Sequence, residues 1–380
     1  MKRIAVLQAG GPTPVLNASL ASFVEKARSS GHLLFIQGGY QGLADGHFIE
    51  ASDTFLAWIC NNAHVPGACL GAGRFQLKEK TFNLCIQQLQ QHRIDTLVGI
   101  GGNGTMAALH KLSEHARQME MDLQIVGIPK TVDNDISCTD HAPGFGSAAR
   151  YVATSTRDMS RDLLAMKGFE KVRVLETMGR HTGWLAAASG LLREYDEEGP
   201  HFIGIPEEVI DPEHLTETVG DALAKFGSAL IVVSEGVLWE RERPVARAQV
   251  NGRHILGGVS QQIAHYLEKQ LGVDGIRSEL FGMNQRSFSM AVSDIDRAEA
   301  RAVGETAARL MNDGETDFMV SIRRQDSYTY STTMEAVPIQ EVFVQGEQTM
   351  PKQWIHHPEN YHHWLRPLVG EGMPSYPRPL

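Results

Sequence analysis

The segment Val126-Gly127-Ile128-Pro129-Lys130-Thr131-Val132-Asp133-Asn134-Asp135 runs from an apolar strand straight into a cation, a hydroxyl and two carboxylates. A loop of that composition can hold a phosphate and take a proton. Phosphoryl transfer to a hydroxyl needs alignment, neutralisation of the donor's charge and an acceptor for the hydroxyl proton. Asp133 can supply the last of these, Lys130 a charge and Thr131 a hydroxyl. Asp135, one step further along an extended loop, points differently and is a candidate to orient hydrated Mg2+, which prefers carboxylate and water oxygens. Asp133, Asn134 and Asp135 also suit an Asx-rich turn that bonds only its own backbone. The loops elsewhere in the chain favour the chemical reading.

Upstream, the strand Thr96-Leu97-Val98-Gly99-Ile100 leads into Gly101-Gly102-Asn103-Gly104-Thr105. Its glycines let the backbone approach a phosphate, whose charge is met by amide groups and the N-terminus of the next helix. Downstream, Val172-Arg173-Val174-Leu175-Glu176 leads into Thr177-Met178-Gly179-Arg180, where Arg180 offers a planar fork for phosphate oxygens. Glu235 closes the strand Leu230-Ile231-Val232-Val233-Ser234 and is a candidate acceptor for sugar hydroxyls. Ligands collect at the carboxyl ends of strands in open α/β sheets, so these loops are expected to share one cleft.

The elements that must position them alternate. Apolar spacing predicts helices near 14–28, 82–92, 105–117, from 144 onward, and near 182–192, 212–226, 258–271 and 294–311. Strands are predicted near 4–7, 33–37, 94–100, 123–128, 172–176, 202–205 and 229–234. Such alternation implies an α/β chain of two Rossmann-like lobes with mainly parallel sheets. The last ~35 residues are weaker in pattern; Gln353-Trp354-Ile355-His356-His357 and Tyr361-His362-His363-Trp364 lack an i, i+4 ligand pair with a nearby carboxylate, which favours packing over metal binding.

The 380 residues carry a formal charge of −10, which disfavours nucleic acid as a partner. A phosphate ester would have to be drawn in by local cations acting over a Debye length of about 8–10 Å. Arg74, Lys130, Lys171, Arg180, Arg277 and Arg286 are the candidates. No apolar run approaches the ~18 residues of a membrane span, and the start lacks the apolar core of a secretion leader. Cys60, Cys69, Cys85 and Cys138 show no C-x-x-C spacing, as expected of reduced thiols in a cytoplasm.

Together with Gly10-Gly11-Pro12-Thr13-Pro14 and Leu70-Gly71-Ala72-Gly73-Arg74, this ordered set of loops closely resembles the phosphofructokinase family over roughly residues 1 to 315. Gly99, Gly101 and Gly104 also satisfy a dinucleotide pattern, but that pattern belongs after the first strand, where Gly10-Gly11-Pro12 stands. NAD kinases share a G-G-D-G-T loop without accounting for Thr131 to Asp135 or Met178-Gly179-Arg180. The resemblance implies a donor lobe over 1–143 plus about 288–345, an acceptor lobe over 144–287 and a C-terminal extension over 346–380. It implies that Asp133 is the catalytic base, aided by Lys130, Thr131 and Arg180. Gly11, Arg74, Gly102, Asn103, Gly104 and Thr105 would bind the donor. Thr131, Asp133, Lys171, Met178, Gly179, Arg180, Glu235, Arg277 and Arg286 would bind the acceptor, with Mg2+ at Asn103 and Asp135. The implied reaction takes fructose 6-phosphate to fructose 1,6-bisphosphate in a homodimer or homotetramer.

Three positions depart from the family. Asn103 stands where the ATP enzymes usually have a magnesium-binding aspartate. Met283 stands where a histidine or tyrosine commonly meets the acceptor's distal phosphate, and a thioether cannot donate to phosphate. Lys171 replaces an arginine that many members supply from a neighbouring subunit. A different sugar or polyol acceptor, or a weakened ligand-sensing paralogue, therefore stays open. Pyrophosphate users resemble this chain in Gly11-Pro12-Thr13-Pro14, Lys130 and Gln285-Arg286-Ser287, but usually carry aspartate at the place of Gly104. The glycine favours ATP, with pyrophosphate the alternative donor.

Overall fold

The computed structural model describes residues 2–73, 75, 77–239, 243–250 and 253–379. In chain order the first elements are β1 (Lys2–Gln8), α1 (Leu16–Ala27), β2 (Gly31–Ile36), α2 (Gly39–Asp45), β3 (Phe48–Glu50), α3 (Asp53–Asn61), α4 (Glu79–Gln91), β4 (Thr96–Gly101), α5 (Asn103–Gln118) and β5 (Gln124–Pro129). Then come α6 (Phe145–Met166), β6 (Val172–Thr177), α7 (Trp184–Ala188), β7 (Phe202–Gly204), α8 (Pro212–Phe226), β8 (Ala229–Ser234), β9 (Ala246–Val250), β10 (Arg253–Leu256), α9 (Val259–Leu271) and β11 (Ile276–Leu280). The chain closes with α10 (Asp294–Asn312), β12 (Phe318–Arg324), β13 (Thr332–Pro338), α11 (Ile339–Gln345), α12 (Lys352–His356) and α13 (Pro358–Val369).

Two compact units result, one of residues 1–145 with 286–348 and one of 146–285 with 349–380. The first holds a seven-stranded sheet in the order β13-β12-β5-β4-β1-β2-β3. Its inner pairings are parallel, while β3 and β13 run antiparallel at the edges. Side chains alternate across a strand, and here both faces are covered. Ile4 and Val6 face Leu16, Leu20 and Phe23 of α1 and Val303 of α10, whereas Ala5 and Leu7 face Ile86 of α4 and Leu109 of α5. The chain leaves β1 for β2 on one side and returns to β4 on the other, a switch point that opens a crevice at the carboxyl ends.

The second unit holds a parallel sheet in the order β11-β6-β8-β7 and a separate β9–β10 hairpin. Its core packs Val174, Ile231 and Val233 against Leu215 and Val219 of α8 and Ile263 and Leu267 of α9. The bounds of α8 are readable from local chemistry: Asp211 accepts the Glu213 amide, Pro212 opens the helix and Gly227 closes it in the left-handed conformation.

Two stretches differ from the sequence reading. The helix expected over 182–192 is only the short α7, because after Ser189 the chain turns to bury the adjacent Leu191 and Leu192. Residues 349–380, expected within a separate extension from 346, belong to the second unit. There Trp354, Tyr361 and Trp364 surround Trp184 of α7 with ring centroids 5.5–5.9 Å from its own. The Tyr361 hydroxyl donates to the Trp184 carbonyl at 2.5 Å.

Candidate active site

In the first unit three loops meet at the crevice. The Ala9 amide donates to the Ile100 carbonyl at 3.0 Å and the Lys130 amide to the Gly101 carbonyl at 3.0 Å, so the loops after β1, β4 and β5 are bonded to one another. Lys130 is 2% exposed, and its ammonium donates to the Gly11 carbonyl at 2.5 Å. Gly10 adopts φ 80, and a side chain there would begin 3.5 Å from that ammonium.

Gly102 precedes α5, Asn103 opens it, and the Thr105 amide closes the first turn on the Gly102 carbonyl at 2.8 Å. Gly104 is exposed, and a Cβ there would meet no atom within 4 Å. Thr105 is buried, its carbonyl accepting from the Tyr40 hydroxyl at 3.0 Å. Arg74, expected beside the donor, lies outside the described residues.

The loop after β5 is built around Thr131. Its hydroxyl accepts from the Asp133 amide at 3.1 Å and donates to the Asp135 carboxylate at 3.1 Å. Asn134 takes a left-handed φ of 52, a conformation asparagine tolerates, and its side-chain oxygen accepts from the Ala142 amide at 3.2 Å. Asp133 and Asp135, on either side of that residue, are both half-buried. Burial pushes the Asp135 carboxyl up, bonds from Asn103 and Thr131 pull it down, and nearby Glu347 adds to the upward push; the net shift is upward.

The two residues expected at magnesium lie together. The Asn103 amide nitrogen donates to the Asp135 carbonyl at 2.7 Å, which fixes the amide orientation, so that its oxygen is the atom that would meet a ligand. With the Asp135 carboxylate this gives two hard oxygen donors, few enough for an ion that keeps several waters. The residues fit Mg2+.

In the second unit Met178, Gly179 and Arg180 follow β6. The Ser234 hydroxyl and the Gly236 amide both donate to the Gly179 carbonyl, the latter at 3.1 Å. The Glu235 amide donates to the Thr177 carbonyl at 2.9 Å, and the Arg180 guanidinium to the His254 carbonyl at 2.6 Å. Gln285 was read from the sequence only as part of the Gln285-Arg286-Ser287 motif, with no role in the site. It is buried, accepts from the Met178 amide at 2.9 Å and donates to the Gly282 carbonyl at 3.0 Å, fastening the turn that carries Met283 to the turn that carries Arg180. Only its place between Gly282 and Arg286 in the sequence could have signalled this.

Lys171 and Arg277 are not brought to Arg180 within one chain. Both lie toward the start of the paired strands β6 and β11, whereas Met178-Gly179-Arg180 follows the end of β6. The six residues of β6 between them span about 20 Å. Arg277 lies 3.8 Å from the Glu170 carboxylate, which Arg173 grips at 2.7 and 2.8 Å. Arg286 is half-buried in the 3-10 turn of residues 282–286.

A family model described as Phosphofructokinase matches residues 3–311. The chain is 43% identical to a sulfofructose kinase of Alkalicoccus urumqiensis, covering 97% of this chain and 95% of that one. It is 32% identical to an ATP-dependent 6-phosphofructokinase of Mycobacterium leprae, covering 85% and 91%. Among solved structures, a pyrophosphate-dependent phosphofructokinase from Marinobacter aquaeolei superposes with a TM-score of 0.85 at 30% identity, over 99% of this chain and 94% of that one.

Proposed function

The chain belongs to the phosphofructokinase family and is a phosphotransferase of that type, and from that premise we propose that it phosphorylates the 1-hydroxyl of a fructose bearing a sulfonate where fructose 6-phosphate has its phosphate. ATP is the donor in this reading. The observation that carries the acceptor assignment is Met283, 59% exposed in the turn next to Gln285, where a donor to a distal phosphate would be expected. A sulfonate keeps one negative charge at every working pH, whereas a phosphate ester carries about −1.5 to −2 at neutral pH. Fewer donors suit the smaller charge. Arg277, whose charge is shared with Glu170, agrees with it, as does the 43% identity to a sulfofructose kinase.

In the mechanism we assign, the acceptor hydroxyl attacks the terminal phosphorus, the bond from that phosphorus to the bridging oxygen breaks, and the hydroxyl proton passes to the Asp133 carboxylate. Lys130 meets charge on the donor phosphates and Arg180 charge on the transferred group. Mg2+ held by Asp135 and the Asn103 amide oxygen would supply further charge neutralisation at the donor. Lys171 and Arg277 serve the distal anion from a second copy of the chain, because their own strand carries them away from Arg180; this makes the protein a homo-oligomer. We place it in the cytoplasm.

Fructose 6-phosphate is the second reading, favoured by the ATP-dependent relative named above. A grid of ATP and pyrophosphate against fructose, fructose 6-phosphate and sulfonated fructose decides. The highest kcat/KM is expected for ATP with the sulfonated sugar. A tenfold preference for fructose 6-phosphate overturns the acceptor, and pyrophosphate outperforming ATP overturns the donor.

Gly104 provides a separate test of the donor. Aspartate there costs nothing sterically, since a Cβ meets open space, and a carboxylate in the first turn of α5 favours the helix. Stability should therefore hold while ATP use falls. Like charges ~4 Å apart repel by about 4 kcal/mol at an effective dielectric of 20, and a third of that shifts the ATP to pyrophosphate preference about tenfold. If Gly104→Asp lowers kcat/KM equally for both donors, or spares ATP, the donor argument fails.

A further inference from the structure

The residues after the base loop are tied down one by one within the first unit. Ile136 bridges to Glu347, the Ser137 hydroxyl donates to the Val342 carbonyl at 3.1 Å, and the Cys138 carbonyl accepts from Ser321 at 2.6 Å. The Asp140 amide bonds the Ile322 carbonyl at 2.9 Å, and the Gly144 amide bonds Asp296 of α10 at 2.8 Å. The segment then closes on its own beginning, where the Thr131 amide donates to the Pro143 carbonyl at 3.2 Å.

At the centre of this frame lies His141, 1% exposed. Its Nδ1 is 2.8 Å from an Asp140 oxygen and its Nε2 is 2.6 Å from Glu299 Oε2 on α10. Glu299 Oε1 accepts from the Tyr330 hydroxyl at 2.7 Å and from Thr332 of β13 at 3.1 Å, while Arg324 of β12 lies 3.4 Å from Asp140 and over the Tyr330 ring. A neutral imidazole donates through one nitrogen only. A carboxylate at each nitrogen calls for both protons.

We propose that His141 is a positioning residue for the phosphotransfer reaction: by bridging Asp140 to Glu299 it locks residues 136–144 to α10 and the β12–β13 pair, and so fixes the Thr131 to Asp135 loop that carries the base. The proposal rests on Asp133 being that base. Nothing in the mechanism above uses His141, Glu299 or Tyr330, and the Thr131 to Gly144 bridge gives the lock a route to the loop. Burial pushes the His141 imidazole down, but the Glu299 and Asp140 carboxylates outweigh it and raise it to about 9. A histidine raised in the folded state holds its contribution fully below its ordinary value near 6.5 and loses it as pH rises through the folded value. The lock should therefore release on the alkaline side.

The test follows kcat, KM and melting temperature in the full-length protein, each variant compared with the wild type on whichever donor and acceptor the wild type uses, so a wrong acceptor assignment leaves it intact. Near-normal turnover in Asp133→Asn would sink the base assignment separately. His141→Gln should lower kcat about tenfold with both KM values within twofold, since a small misplacement of a catalytic group costs turnover more than binding. The wild-type kcat should fall as pH passes about 9, and Glu299→Gln, which removes one of the two carboxylates, should move that fall to lower pH by about one unit. A lowered melting temperature with kcat unchanged in His141→Gln overturns the proposal. So does a wild-type kcat flat to pH 10, which needs no variant, or an alkaline limb that stays in place in Glu299→Gln.

Discussion

Asp133→Asn should lower kcat by roughly 10²–10⁴ while leaving KM for both substrates nearly unchanged, because it removes the proton acceptor without altering shape. The structure sharpens this expectation. The Asp133 main chain is held by its own amide bonding the Thr131 hydroxyl at 3.1 Å, and that bond does not involve the carboxylate. Asn134 and the Thr131 to Gly144 bridge hold the rest of the loop. The asparagine variant, nearly isosteric with aspartate, keeps this main-chain frame and should fold. Steady-state kinetics with a parallel melting curve decides: a folded variant that retains turnover within a few fold shows that the proton leaves by another route.

Gly236→Ala should reduce kcat/KM for the acceptor by about 100-fold, although residue 236 contributes no side chain to the site. A Cβ at Gly236 would lie 1.8 Å from the Arg180 carbonyl oxygen and 2.5 Å from its carbon. Backbone atoms cannot yield as a side-chain tip can. Either the Glu235–Gly236 turn or the Met178–Arg180 loop must shift, breaking the bond from the Gly236 amide to the Gly179 carbonyl and redirecting the Arg180 guanidinium. A displacement near 1 Å is enough to cost 10²-fold. KM for the donor should change little, because the donor residues belong to the other unit. Substrate titrations of a folded Gly236→Ala protein test this, and an acceptor kcat/KM within threefold of wild type would refute the packing argument.

Much of the molecule was legible before folding because the information is local. The runs Leu97–Ile100, Ile125–Ile128 and Ala229–Val233 are continuously apolar, as expected of strands covered on both faces, and each leads into polar or glycine residues. Capping chemistry fixed α8 to the residue. By contrast α13 was not assigned although Tyr361, Trp364, Leu365 and Leu368 carry helical spacing: the His/Trp-rich segment was read as packing rather than metal binding, without an element or a partner. What those rings pack against is a helix some 170 positions earlier, and no local pattern reports such a partner.

The sequence by itself determined which loops are candidates to carry chemistry, since a lysine, a threonine and two carboxylates after a strand, or glycines before a helix, act through residue type and spacing alone. Tertiary structure decided how they are arranged. It turned the Asn103 amide nitrogen onto the Asp135 carbonyl, buried the Lys130 ammonium against Gly11, and set Lys171 and Arg277 a strand's length from Arg180. Each of these depends on which groups meet across tens to hundreds of residues. Hydrogen-bond direction and sheet register settle that only once the strands have paired.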